Sequence, residues 1–416
     1  MAETNQNRWM IVLGGSLMNF CIGVVYIWSI FLKPLQEMFG WSTSEASLAY
    51  TISLGMLPVM MIVGGYLTPK LGIRKVAILG SAMMFIGFFI ASKSSSLTML
   101  YIGYGFFAGG GAGVAYGIPL STVLKWFPDK RGMVAGLVIG SLGFGSFFFS
   151  KLGYNIMLSY GPLTTLAIMG VIVFIGVALG ALLLKAAPDG YVPPGWTPPT
   201  SATAKAATNT YNFTPNEMLR TPQYYMLFAI YSGIMISSLM IIGHASPIAQ
   251  KVAGLTPLQA STIVGLLGIF NSAGRILWGA ISDKLGRIRS VVCMLLATSI
   301  AMFLMNSLTS FWGFAIGVSV VAICFGGSTS VIPAITTDSF GAKYVGINYG
   351  FVLLAYSAGA IIGPMMASKV LEMTGGIYST AFIISGALCV VSIVLALLYK
   401  TPKPPVIQGE QEAKTV

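Results

Sequence analysis

Twelve apolar stretches, each near the roughly 20 residues that cross a bilayer as a helix, dominate this chain. Their limits fall near 9–32, 45–68, 76–93, 97–123, 132–154, 164–187, 222–246, 257–281, 288–307, 311–337, 345–370 and 376–399. Of 416 residues, 56% are hydrophobic and 8% are charged, against about 25% charged in a soluble chain. So few ionisable groups cannot clothe a water-facing surface, and lipid must solvate most of the molecule. The expected fold class is an all-α membrane protein of twelve transmembrane helices.

One long polar stretch, 188–221, interrupts the series. It holds Pro193-Pro194 and Pro198-Pro199 followed by Ser, Thr and Ala residues, and reads as a linker. The expected organisation is a six-helix bundle over 1–187, a second over 222–400, and a polar tail over 401–416. A shift of 214 residues, without gaps, lays Gly65, Gly72, Gly103, Gly113, Gly132, Gly136 and Gly145 on Gly279, Gly286, Gly317, Gly327, Gly346, Gly350 and Gly359. Pro119 likewise falls on Pro333, and Lys70-Leu71 on Lys284-Leu285. An offset of six spans preserves topology, so the bundles are parallel repeats, an architecture that puts a binding site between them near mid-membrane.

Placing the N-terminus in the cytoplasm puts 17 of the 23 Lys and Arg residues on the cytoplasmic side, five outside and one inside a span. That asymmetry predicts both termini in the cytoplasm, in the inner membrane of a bacterial or archaeal cell. The net charge of +12 is spread between apolar runs and not gathered in one patch, which argues against a nucleic-acid partner. Arg8 precedes a run long enough to span, so the first segment is expected to remain as an anchor. Cys21, Cys293, Cys324 and Cys389 all lie in apolar runs without metal-ligand spacing, and there is a single histidine; no disulfide framework, metal or cofactor is expected. No nucleophile–base pair or paired carboxylates point to an enzyme.

After the eighth span the chain reads Gly279-Ala280-Ile281-Ser282-Asp283-Lys284-Leu285-Gly286-Arg287. This resembles the loop between the second and third helices of each half in the major facilitator superfamily. In the first-half copy, Gly65 to Arg74, Pro69 stands where the aspartate should be. The run Lys125-Trp126-Phe127-Pro128-Asp129-Lys130-Arg131-Gly132 is similar to the loop before helix 5 in monocarboxylate transporters and oxalate/formate antiporters. Glu217-Met218-Leu219-Arg220-Thr221-Pro222-Gln223 is similar to the latter group. Both stretches read equally well as anchors at helix ends.

Arg275 is the one charged residue well inside a span, and the 214-residue shift lands it on Met61. An arginine at mid-helix costs about 2.5–3.5 kcal/mol on insertion scales, so it usually has a purpose. Two readings are open. It lies about 12 Å along a helix from Asp283 and could snorkel to the interface. Alternatively, its planar fork grips a carboxylate, which arginine does better than lysine; the family resemblance implies this role for an arginine in this helix. Asn271, one turn away, could add a hydrogen bond. The oxalate/formate antiporters carry a lysine in helix 11 where Tyr356 stands here. One fixed positive charge matches a monoanion, since a dianion would remain half-neutralised in a low-dielectric cavity.

The expected function is therefore carriage of a small monocarboxylate such as lactate or pyruvate, with an oxalate/formate-type exchanger as the rival. Resemblance to the monocarboxylate transporters implies proton symport, with His244 as the candidate coupling residue. Tyr116, beside Gly105, Gly109, Gly113 and Gly117, and Tyr378 are secondary binding candidates; helix packing and the outer aromatic belt are their alternatives. The expected partners are the anion, a proton and the bilayer, and the expected state is a monomer. A non-transporting receptor is a further rival, to which the stretch from Lys400 to Val416 offers no signalling domain.

Overall fold

The computed structural model describes residues 7–188, 191–194, 211–375 and 377–404, and all regular structure among them is helical. Helix α1 runs Trp9–Ile22, tightens into a 3-10 stretch over Gly23–Ile27, and continues through Trp28–Phe39. Helices α2 (Thr43–Leu71) and α3 (Ile73–Ser92) follow. Helix α4 begins at Leu97–Leu100, widens into a π-helix over Tyr101–Ala108 and ends as Gly109–Trp126. Arg131–Leu183 is two helices, α5 over 131–160 and α6 over 162–183. Gly161, at φ 77°, breaks the path just before Pro162. The second half comprises α7 (Pro222–Val252), α8 (Pro257–Leu285), α9 (Arg287–Leu304), α10 (Phe311–Phe340), α11 (Val345–Met373) and α12 (Ser379–Leu398). These are the twelve expected spans.

Of the expected linker, 189–190 and 195–210, with Pro198-Pro199, lie outside the described residues, as does 405–416 of the tail. The linker's last part docks on the second half. Phe213 donates its N–H to the Phe340 carbonyl at 3.0 Å, and the Asn348 side chain donates to the Phe213 carbonyl at 3.1 Å. Thr214 and Glu217 then close a capping box on the short helix Pro215–Leu219.

Lipid-facing stripes are apolar, as in α6, where Val171, Ile175, Leu179 and Leu182 are exposed at helical spacing. Inside each half, small residues let backbones meet. Gly105, Gly109, Gly113 and Gly117 of α4 lie against Ile52, Ser53, Leu57 and Met61 of α2. A Cβ at Gly113 would sit 2.2 Å from the Leu57 carbonyl oxygen.

The same economy of side chains joins the halves. On one side α5 crosses α8, and a Cβ at Gly136 would come 2.3 Å from the Arg275 carbonyl oxygen. Gly132 and Gly279 meet backbone to backbone in the same way. On the other side α2 crosses α11, with Gly65 against Gly346 and Ile347, and Gly350 against Ile62. These are the glycines that the 214-residue repeat superposes. Each has lost its side chain where two halves must touch.

All these contacts lie toward one end of the molecule, which also holds both described chain ends. Arg8 pairs there with Asp129 at 2.8 Å, and the Tyr399 hydroxyl donates to Ser339 at 2.8 Å. Asp283 accepts the backbone N–H groups of Gly132 and Met133 at 2.9 and 2.8 Å and pairs with Arg287. Asp338 pairs with Arg131 of the first half and with Arg287. The four positions related by the repeat are Pro69, Ile73, Leu124 and Val345, all without charge. There the halves border a cavity of about 440 Å³ lined by Pro69, Ile73, Ser121, Lys125, Lys343 and their neighbours. Among the described residues, the hydrogen bonds between halves run from this end to about the level of Leu54 and Ser357. At about that level and beyond it, a Cβ at Gly55 of α2, or at Gly265 or Gly268 of α8, would meet nothing within 4 Å. The molecule is latched at the end bearing the charged loops.

Candidate functional site

Just inside that latch, Arg275 lies on α8 and is only 8% exposed. Its guanidinium does not reach back to the interface. It donates from Nη1 to the Ile139 carbonyl of α5 at 2.7 Å, across the boundary between halves. Its Nε is buried and unpartnered. Among the described residues it forms no ion pair. A bond to a neutral carbonyl satisfies one donor of five and leaves the charge uncancelled.

Arg275 borders a narrow cavity shared by both halves. From the first half come Tyr26, Leu57, Tyr116, Ile139 and Leu142; from the second, Tyr231, Thr329, Tyr349, Leu353 and Tyr356. No carboxylate lines it. Tyr26 sits in the 3-10 stretch of α1, at the point where Gly23 packs so closely on α5 that a Cβ would lie 2.5 Å from the Leu142 carbonyl oxygen. Tyr26 and Tyr356 bring their hydroxyls together beside Arg275. The hydroxyls of Tyr116, Tyr231 and Tyr349 converge in the same way. An anion entering this space would meet one cation and several neutral hydroxyl donors, with aromatic faces as walls.

Of the residues singled out in the sequence, Arg275, Tyr116 and Tyr356 come together here. Asn271 does not line this cavity. It sits against α10, where a Cβ on Gly326 would lie 2.8 Å from Asn271 Oδ1, and that oxygen has no hydrogen-bond partner. Tyr378 and His244 lie apart from the cavity and touch each other, Nδ1 to hydroxyl, at 3.3 Å. Tyr378 also stacks on Phe382. Gly279, Asp283, Lys284, Gly286 and Arg287 form the latch-end loop. There Gly286, at φ 95°, makes the turn between α8 and α9 that a side chain would strain. Tyr26, Tyr231, Tyr349 and Thr329 escaped the sequence reading. Their one signal was a polar side chain inside an apolar run.

Comparison with known proteins agrees with this architecture. The sequence model of the Major Facilitator Superfamily matches residues 12–290 and 242–416. The MFS-type transporter YhjX of Escherichia coli K12 is 31% identical over 359 residues, covering 86% of each chain. The oxalate:formate antiporter of Oxalobacter formigenes is 28% identical, covering 94% of this chain and 91% of that one. Monocarboxylate transporter 13 of Rattus norvegicus is 24% identical, covering 91% and 86%. Among solved structures, the transporter FucP in its outward conformation superposes with a TM-score of 0.73 at 15% identity, covering 94% of this chain and 99% of that one. This multi-pass membrane protein belongs to the major facilitator superfamily, a family of transporters and not of enzymes.

Proposed function

We propose that this transporter carries a small monocarboxylate, of the size of lactate or pyruvate, together with a proton, by alternating access about Arg275. The observation that carries the reading is a buried guanidinium facing a shared cavity with one arm on a backbone carbonyl and no carboxylate beside it. A substrate carboxylate supplies the missing countercharge, and two parallel N–H···O bonds fix its orientation. One cation balances one anionic charge; Tyr356 lines the cavity without adding a second. The cytoplasm lies on the latched side in this reading, because the Lys- and Arg-rich loops gather there. The substrate then enters from the opposite end, and rocking of the two halves opens the latch.

A lone anion is held back by an inside-negative membrane potential, so a proton travelling with it makes uptake electroneutral. His244, paired with Tyr378 away from the latch, is the candidate for that proton. The second reading is anion exchange, favoured by similarity to a protein named as an oxalate:formate antiporter. The test is uptake of labelled L-lactate into proteoliposomes, with and without an inward proton gradient and with oxalate as competitor. Gradient-driven lactate uptake indifferent to oxalate is expected. Oxalate exchange without gradient dependence would overturn the symport reading in favour of the exchanger.

A further inference from the structure

The repeat that superposes the two halves gives the latch two copies, and they are closed differently. In one copy Asp283 accepts the N–H groups of Gly132 and Met133, on the first turn of α5, at 2.9 and 2.8 Å. Shifted by 214 residues, the aspartate becomes Pro69, and the two donors become Gly346 and Ile347 on the first turn of α11. With no such carboxylate to meet, the Ile347 N–H turns back to the Tyr344 carbonyl at 3.0 Å. Pro69, Gly346 and Ile347 all line the cavity of about 440 Å³ at this end. Two lysines line it as well, one from each half. Lys125 of α4 donates from Nζ to the Lys343 carbonyl at 3.4 Å, and the Lys343 ammonium lies 5.4 Å from the centre of the Tyr344 ring. The backbone N–H of Lys343 donates to the Asn212 side chain at 3.0 Å, which fixes that loop. Where the first copy has a carboxylate on a helix start, the second has a cavity flanked by cations.

We propose that this cavity is a binding site for a phosphate group, which occupies the place of the missing aspartate and joins the two halves at the latched end. An aspartate at position 69 would be tied to α2 through its own backbone, so a single contact with α11 would bridge the halves. A free ligand must touch both halves itself. A carboxylate offers two oxygens in one plane, whereas a phosphate offers three acceptor oxygens spread over a tetrahedron. One oxygen suits the Gly346 N–H at the start of α11, a 29-residue helix whose positive dipole end lies there. The others suit Lys125 of the first half and Lys343 of the second, lysine being a point-charge partner of phosphate. A ligand held by both halves binds the latched arrangement and loses contacts when they part, so it favours the latched state. The phosphate belongs to a soluble ester or to a lipid headgroup of the adjoining leaflet, and the grip is the same for both.

The test follows thermal unfolding of the purified full chain in neutral detergent as inorganic phosphate replaces chloride at constant ionic strength. Wild type should show a saturable rise in midpoint. Lys343→Gln should raise the half-saturating phosphate concentration by about tenfold or more, while Lys343→Arg, which keeps the charge, retains the response. Pro69→Asp supplies the carboxylate from within; it should raise the midpoint without phosphate and abolish the phosphate response. Lys151→Gln, which removes an exposed charge elsewhere, should change nothing. Nanodiscs of phosphatidylcholine, with and without phosphatidylglycerol, separate the two sources. A headgroup occupant raises the midpoint in the phosphatidylglycerol discs and leaves inorganic phosphate without effect there; a soluble occupant lets phosphate act equally in both. A rise that survives unchanged in Lys343→Gln and Pro69→Asp is a general salt effect and overturns the site, as does the absence of any rise in detergent and in both discs. Hydrogen exchange tests the bridge: the occupant should slow exchange at the α2 end and the α11 start together, and slowing in one half alone would overturn it.

Discussion

The bond from Arg275 to the Ile139 carbonyl is charge-assisted, and bonds of that kind contribute about 1.5–3 kcal/mol. That offsets much of the cost of an arginine at this depth and leaves Nε without a partner. Lysine preserves the charge but not the fork. Arg275→Lys is therefore expected to raise half-saturation for the carboxylate by about tenfold or more, with the variant still folded. Uptake kinetics in proteoliposomes check this, and unchanged affinity would remove the two-bond grip. Arg275→Ala should abolish uptake. His244→Gln keeps a polar side chain against Tyr378 but cannot be charged; it should uncouple uptake from the proton gradient, seen as loss of lactate-driven acidification inside vesicles. Arg275 was legible in the sequence because a charge in an apolar run is conspicuous. Tyr116 and Tyr356 were legible beside it, but Tyr26, Tyr231 and Tyr349 were not, since a tyrosine in an apolar run looks like packing until the fold brings it to the cavity. Asn271 is not among the residues lining the cavity, for a geometric reason. Four residues turn a helix by about 400°, which leaves it about 40° away from Arg275. That rotation sets it against α10, where Gly326 leaves room for it.

Two crossings, α5 on α8 and α2 on α11, set the spacing of the halves, and the repeat in the sequence already marked their glycines. What the repeat could not give is the reason for the coincidence. Gly132, Gly136, Gly279, Gly65, Gly346 and Gly350 could each have served packing within a half; only the contacts show them lying between halves. The π-helix in α4 and the 3-10 stretch in α1 were equally invisible, because an apolar run has the same composition whichever way its carbonyls bond. A methyl group at Gly136 would lie 2.3 Å from the Arg275 carbonyl oxygen, which is fixed in helix α8 and cannot swing aside. Gly136→Ala should force the two helices apart at a cost of about 1–3 kcal/mol, the range for overpacking. The same shift stretches the Arg275–Ile139 bond. Two readouts should therefore move together: weaker substrate affinity, and greater labelling of a cysteine placed beyond the latch. Labelling that stays at the wild-type level would show that the crossing does not set the closure. Asp283→Asn should act on the same element, since it weakens acceptance of the Gly132 and Met133 N–H groups and removes the ion pair with Arg287.

Across the whole molecule the latch is lopsided. One side is closed by ion pairs among four charges, Asp283, Arg287, Asp338 and Arg131, and the other by close glycine contacts and a hydrogen bond from Lys125 to the Lys343 carbonyl, beside a cavity. If rocking about the central site drives transport, both sides must open together despite this difference, and a covalent tie on the weaker side should stop the cycle. Ser121 of α4 and Gly346 of α11 offer that tie. A Cβ on Gly346 would stand 3.6 Å from the Ser121 Cβ, within the span of a disulfide, and Gly346 has no positive φ that a cysteine would strain. In a background cleared of the four native cysteines, the pair Ser121→Cys and Gly346→Cys should cross-link on mild oxidation and hold the latched end shut. Uptake should then fall to background and return with a reductant, while substrate binding from the open end persists, measured as protection of the protein against thermal unfolding. If the oxidised protein transports at the reduced rate, the halves do not part at this end, and alternating access by rocking is the wrong account of this carrier. If oxidation abolishes binding as well as transport, the substrate reaches Arg275 from the latched side, and the direction assigned to the cleft must be reversed.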